Sequence, residues 1–155
     1  MAIKKSLVIT NGQIEQLQAG DRLDLGNTFT KNNANAGTIT IGQPVYITST
    51  DVDLAQANAQ STIRVAGLVY DTSVLTATPA TVLVDGILTA TTTQWDAVTG
   101  QSGGLTPGAN YFLDPSTPGK LTLTAPTTVG QFVVRVGYAI SSTEFEIEIG
   151  QPIKL

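Results

Sequence analysis

The sequence predicts an all-β protein, an antiparallel β-barrel or β-sandwich with an N-terminal arm or hairpin. Three observations carry that expectation. Apolar residues recur with period two, most cleanly where Phe145, Ile147 and Ile149 alternate with Glu144, Glu146 and Glu148. Turn dipeptides punctuate the chain at Asn11-Gly12, Asp85-Gly86, Pro107-Gly108 and Pro118-Gly119. Helical character is confined to two short stretches, 51–60 and 91–98.

Residues 3–10 read as a first strand, Asn11-Gly12 as a hairpin turn and residues 14–17 as a short return strand. Ala19, Gly20 and Asp21 end it, and Leu23 and Leu25 then alternate with Asp24. Residues 28–37 are rich in Asn, Ala and Thr, with Phe29 the one large apolar side chain, and read as a loop or linker. The chain is thereby divided into an arm or hairpin (1–30), a linker (31–37) and a β-rich body (38–155). A segment of roughly 30 residues cannot enclose a core. Its apolar residues Ile3, Leu7, Ile9, Ile14, Leu17, Leu23, Leu25 and Phe29 are therefore expected to pack on the body or on another subunit.

In the body, residues 38–41 and 45–48 read as strands around Gly42-Gln43-Pro44, whose proline belongs at a strand start or edge. Residues 51–60 are the best helix candidate, with Thr50 or Asp51 as cap and Leu54, Ala55, Ala57 and Ala59 inside. Residues 63–70 form a strand in which Ala66-Gly67 marks a bulge or a close backbone approach. Residues 80–84 form another, and Asp85-Gly86 reads as a hairpin turn into 87–90. Residues 91–98 suit a short helix that drops Trp95 and Val98 onto the core. From Gly104 to Thr124 the chain reads turn, strand, turn, strand, with residues 110–113 the first strand and Leu121 and Leu123 alternating with threonine in the second. Residues 132–138 are a strongly apolar strand carrying Arg135. The stretch from Gly42 to Ile47 echoes that from Gly108 to Leu113: a turn glycine, then a strand opening on an aromatic. We read this as one solution used twice, with a duplicated half-barrel as the alternative.

The composition narrows the function. Charged residues make up 13% of the 155 and the formal net charge is -4. An ordinary soluble domain is about 25% charged. A threonine-rich, weakly charged surface suits permanent contact with neighbours, since a desolvated charge is costly. A free β domain that favours threonine on its strands is the alternative. Apart from Lys4-Lys5 no cationic cluster is present, so nucleic acid is not an expected partner. No apolar run approaches a membrane span, and the N-terminal apolar stretch is too short and too quickly broken for a signal peptide.

Histidine and cysteine are absent. That removes the usual general base, the thiolate nucleophile and the commonest transition-metal ligands. Asp51 and Asp53 are expected to cap the 51–60 helix rather than to begin a calcium loop. Asp71, Asp85, Asp96 and Asp114 neighbour turns, where the carboxylate bonds nearby backbone. Glu144, Glu146 and Glu148 form either a solvated face or a counterpart to a cationic patch. Trp95, Tyr46, Tyr111 and Phe112 are expected in the core; a sugar-binding surface built on Trp95 and Tyr111 is the alternative. The expectation is a protein that is not an enzyme and uses no metal and no cofactor.

Two regions carry a resemblance. Asn11 to Asp21, reading Asn-Gly-Gln-Ile-Glu-Gln-Leu-Gln-Ala-Gly-Asp, resembles a short leader found in structural proteins of tailed bacteriophages. Gly42 to Ile47, Val65 to Val69, Gly104 to Leu113, Gly119 to Leu121 and Val136 to Ala139 resemble small β-rich virion proteins of these phages, above all capsid decoration (cement) proteins. The leader also occurs in tail and fibre proteins. The resemblance implies a homotrimer on the outer surface of the head, clamping the major capsid protein, with one terminal segment reaching a neighbour. A tail, baseplate or head-fibre component is the alternative within that class. A carbohydrate-binding module for host adsorption is the alternative outside it.

Overall fold

The computed structural model describes residues 7–10, 13–16 and 27–155. It is an all-β fold of several antiparallel sheets, none of them closed into a barrel. Strands β1 (Leu7–Thr10) and β2 (Gln13–Gln16) form a two-stranded sheet, with Leu7 opposite Gln16 and Thr10 opposite Gln13. The expected Asn11-Gly12 turn lies outside the described residues.

Strands β3 (Thr28–Asn32), β4 (Pro44–Ile47), β5 (Val52–Leu54), β6 (Val65–Val69) and β7 (Pro79–Leu83) form a five-stranded sheet in the order β3-β7-β6-β4-β5. The chain then crosses to a second sheet through β8 (Gly86–Thr89) and helix α1 (Thr92–Thr99). Strands β9 (Asn110–Leu113) and β10 (Leu121–Thr122) follow. After β11 (Phe132–Val133), strands β12 (Arg135–Ala139) and β13 (Glu144–Ile147) complete the order β8-β13-β12-β9-β10. Strand β14 (Ile153–Lys154) pairs with β11 in a small separate sheet.

The two five-stranded sheets are the same unit built twice. Strands β3, β4, β5, β6 and β7 correspond in turn to β8, β9, β10, β12 and β13, and the pairing order is identical. The registers agree residue by residue. Val45 lies opposite Gly67 and Tyr46 opposite Val65, leaving Ala66 as a bulge. Tyr111 lies opposite Gly137 and Phe112 opposite Arg135, leaving Val136 as a bulge. The turn before each strand matches too. Gly42 N–H donates to the Val69 carbonyl at 2.9 Å, and Gly108 N–H to the Ala139 carbonyl at 2.8 Å. The echo seen in the sequence is thus the visible part of a repeated unit, which favours duplication over independent recurrence. Elements without a counterpart are the β1–β2 hairpin, α1, β11 and β14.

The core follows from the alternation. Val65, Leu68 and Leu83 of the first sheet join Leu88, Tyr111, Leu113, Phe145 and Ile147 of the second in one cluster, which Trp95 and Val98 of α1 complete. The other face of the first sheet carries Val45, Val52, Val69 and Val82, packed with Ile39, Val74 and Ala80 in a second cluster. Strand β6 is therefore apolar on both faces, which explains its near-continuous Val-Ala-Gly-Leu-Val sequence. An isolated bridge between Asn33 and Val52 ties the two edges of the first sheet at one point without closing it. Asn33 is buried there and satisfied. Its Nδ2 donates to the carbonyls of Gly37 (3.0 Å) and Val74 (3.1 Å), and its Oδ1 accepts from Asn35 N–H (2.8 Å).

Several expectations need correction. Residues 28–37 are not a free loop: Thr28–Asn32 is an edge strand paired along its length with β7, and Phe29 packs on the second cluster. The polar composition hid a strand whose register is supplied by its partner. Residues 51–60 form no helix. Asp51 N–H donates to Thr48 Oγ1 (3.0 Å), and the turn sends Val52–Leu54 back along β4. Burial of Val52, Ala55 and Ala57 outweighs alanine's small helix preference. Asp85-Gly86 does not close a hairpin. Both edges of β7 are already taken by β3 and β6, so the chain must leave for the other sheet. The apolar run 132–138 is split at Val134, because β11 pairs with β14 while β12 pairs with β9 and β13. Helix α1 agrees with expectation. Thr91 caps it in a reciprocal capping box with Gln94, Gly100 ends it at φ +70°, and Trp95 and Val98 are its buried residues.

Candidate functional site

The carboxylates of Asp71, Asp96 and Asp114 accept from the chain's own backbone. Asp96 accepts from Gly103 N–H (3.1 Å) and Gly104 N–H (2.6 Å), fixing the loop after α1. Asp114 accepts from Ser116 N–H (2.6 Å) and Thr117 N–H (2.7 Å) in the turn between β9 and β10. Asp53 accepts from Leu54 N–H (2.7 Å) and from Asn35 Nδ2 (2.9 Å), so its part is to pin the Asn33–Gly37 turn rather than to cap a helix. Beside it the Tyr46 phenol is pushed above its ordinary value, by burial first and by the Asp53 charge second. Among the described residues no group of three or more His, Cys, Asp or Glu is placed to hold a metal ion.

Asp96 makes the clearest loop prediction. Asp96→Ala leaves two backbone donors without their carboxylate and is expected to lower stability by about 2 kcal/mol. A urea unfolding midpoint, at unchanged slope, reads it out.

Trp95 and Tyr111 are both fully buried, so neither ring offers a face to a sugar. Trp95 packs 5.5 Å from Phe145 between ring centroids, and its Nε1–H donates to the Thr143 carbonyl at 3.0 Å. Tyr111 lies 5.8 Å from Phe145 in an edge-on arrangement. Its hydroxyl donates to Gln101 Oε1 (2.5 Å) and accepts from Thr106 N–H (2.8 Å). Burying a tyrosine or tryptophan requires such partners, and here they are loop groups. Tyr111 thereby holds the loop of residues 100–109 in place, while Trp95 ties α1 to the turn before β13.

Three surface features remain. The first is the outer face of the second sheet, where Glu146 stands between Tyr138 and Ile87 in register. Part of its charge is already answered. Arg135 Nη2 meets Glu148 Oε2 at 2.5 Å while Nη1 donates to Asn110 Oδ1, and Glu144 accepts from Ser141 Oγ. The second feature is the β1–β2 hairpin. Ile9 and Ile14 are directly paired and Leu7 is two residues along from Ile9, so these three expected contact residues take like-parity positions. Ile3, Leu17, Leu23 and Leu25 lie outside the described residues.

The third feature is a cleft of about 450 Å³. Three segments line it: Gln60 with Ile63, Arg64 and Val65; Phe132 of β11; and the chain from Ile149 to Pro152 with Lys154 of β14. Its lining is apolar at Ile63, Val65, Phe132, Ile149 and Pro152, cationic at Arg64 and Lys154, and amide-bearing at Gln60 and Gln151; no carboxylate lines it. Arg64 and Lys154 are exposed, and no ion pair is formed by either among the described residues. Sequence reasoning missed this cleft because its walls come from three separated segments. The one available signal was the isolated Arg64 beside a buried strand.

Neither a protein-family model nor a curated protein sequence matches this chain.

Proposed function

We propose that this chain is a capsid decoration (cement) protein of a tailed bacteriophage, a non-enzymatic subunit that binds the outer surface of the head and stabilises the shell. It acts as a homotrimer on the major capsid protein, without cofactor, nucleic acid or membrane. The scaffold we infer is a sandwich of the two five-stranded sheets across their shared cluster, with the N-terminal segment as an arm.

One observation carries the reading. The Leu7–Gln16 hairpin pairs with neither five-stranded sheet and forms a sheet of its own. It places Leu7, Ile9 and Ile14 on a two-stranded element, which is marginal in water unless it packs on something else. The turn carboxylates support the same reading, because they bond the chain's own loops. The resemblance of residues 11–21 to a phage leader points the same way.

Cementing needs no chemistry. Shell subunits bridged by several arms are held by linked contacts, each raising the effective concentration of the next. A ligand that binds the intact shell alone also stabilises it by mass action.

Purified heads stripped of the protein test the proposal. Stripped heads are expected to release DNA at lower temperature, and adding back the full chain should restore them. A chain starting at residue 27, which keeps β3, should remain folded but bind heads weakly. Heads equally robust with and without the protein would count against cementing. Full restoration by the shortened chain would remove the arm from the account. Mass measurement in solution and on the particle checks the trimer.

A further inference from the structure

We propose that the cleft between β6 and the β11–β14 sheet is a peptide-binding site that takes an extended acidic segment of a partner protein. Its carboxylates meet Arg64 and Lys154, and its intervening apolar side chains rest on Ile149 and Pro152.

The architecture singles this cleft out. The repeated five-strand unit accounts for ten strands, and β11 and β14 are additions to it. Those additions contribute Phe132 and Lys154 to the cleft lining, and the two residues are paired opposite each other.

The charge pattern names the ligand. The chain is acidic overall, with a net charge of -4, yet this cleft holds two cations and no carboxylate. Two other cations of the body are committed: Arg135 to Glu148 and Asn110, and Lys120 to the Ala97 carbonyl. Arg64 and Lys154 are thus left for a partner's acids, and an arginine fork matches a carboxylate well. Ile149 and Pro152, which keep part of their surface open, offer a peptide's apolar side chains a contact that a bare inorganic anion cannot use. Gln60 and Gln151 supply amides that can donate to and accept from a peptide backbone. At about 450 Å³ the cleft is within the usual size range of ligand sites, roughly 300–1,000 Å³. This chemistry is independent of where the chain sits in an assembly.

The test uses the full chain and a fluorescent, acetylated and amidated peptide of alternating leucine and glutamate, followed by anisotropy. Saturable binding that weakens as salt rises is expected. The Arg64→Glu/Lys154→Glu double variant should weaken it about tenfold or more. Lys31→Glu, a charge change outside the cleft, should leave it unaltered. If the double variant fails to fold, by circular dichroism, Arg64→Gln/Lys154→Gln replaces it. Absence of saturable binding, or unchanged affinity in a folded double variant, would overturn the proposal. So would equal binding of a leucine–lysine peptide, or equally effective competition by inorganic phosphate or a thymidine oligonucleotide.

Discussion

Replacing Trp95 with alanine is expected to destabilise the protein by about 4 kcal/mol, the cost of removing a large buried aromatic and leaving a cavity. Trp95 has no exposed surface and joins α1 to both five-stranded sheets through the large cluster. Its ring leaves no room beside Gly42: a Cβ there would lie 2.8 Å from the indole. It also packs against Phe145 with the rings tilted by 41°, and its Nε1–H donates to the Thr143 carbonyl. Alanine therefore loses transfer energy, an aromatic contact and a hydrogen bond together. Trp95→Phe keeps part of the volume and should cost clearly less. Equilibrium unfolding in urea checks both. A loss below about 1 kcal/mol for the alanine variant would mean that the two sheets do not depend on this ring.

The second large effect belongs to a residue with no side chain. Gly137→Ala is expected to cost about 3 kcal/mol, at the upper end for forced overpacking. A Cβ at Gly137 would overlap the Glu146 carbonyl oxygen and lie 2.7 Å from the Phe145 ring. Because the oxygen belongs to the neighbouring strand, relief requires β12 and β13 to separate. Gly67 is its counterpart in the first unit, where a Cβ would overlap the Leu83 carbonyl oxygen. Gly67→Ala should therefore cost about as much, since the repeat places both glycines beside the same bulge. Gly108→Ala is the contrast. Its φ of +77° disfavours a side chain, but nothing lies within 4 Å, so about 1 kcal/mol is expected. Equal losses at Gly108 and Gly137 would show that the close strand approach does not set the cost.

Much of the fold was legible where local signals and tertiary contacts agree. The alternation at Glu144–Ile147 appears as β13, with Phe145 and Ile147 inside. Ala66-Gly67 reads as both bulge and close approach because it is both. Helix α1 was legible because its cap, its buried pair and its terminating glycine all lie within ten residues. What was hidden depends on distant partners. Thr28–Asn32 is polar and gains its structure from β7 some fifty residues later. Residues 52–57 carry alanines that suit a helix, yet their burial against β4 and the core decides otherwise. The repeat was visible only at Gly42 and Gly108, because the two units keep register and turns while changing side chains: Val45 against Tyr111, Val82 against Phe145. The cleft was illegible for the same reason, since Arg64 and Lys154 meet only through the β11–β14 pairing.

The most direct test of the decoration proposal is the position of this chain on an intact virion, read from a cryo-electron microscopy reconstruction. The account predicts density for its two five-stranded sheets on the outside of the head, repeated at every symmetry-equivalent position of the shell, with a thin connection from residues 1–26 to a neighbouring subunit. Density confined to the tail or baseplate, with a bare head surface, would contradict it.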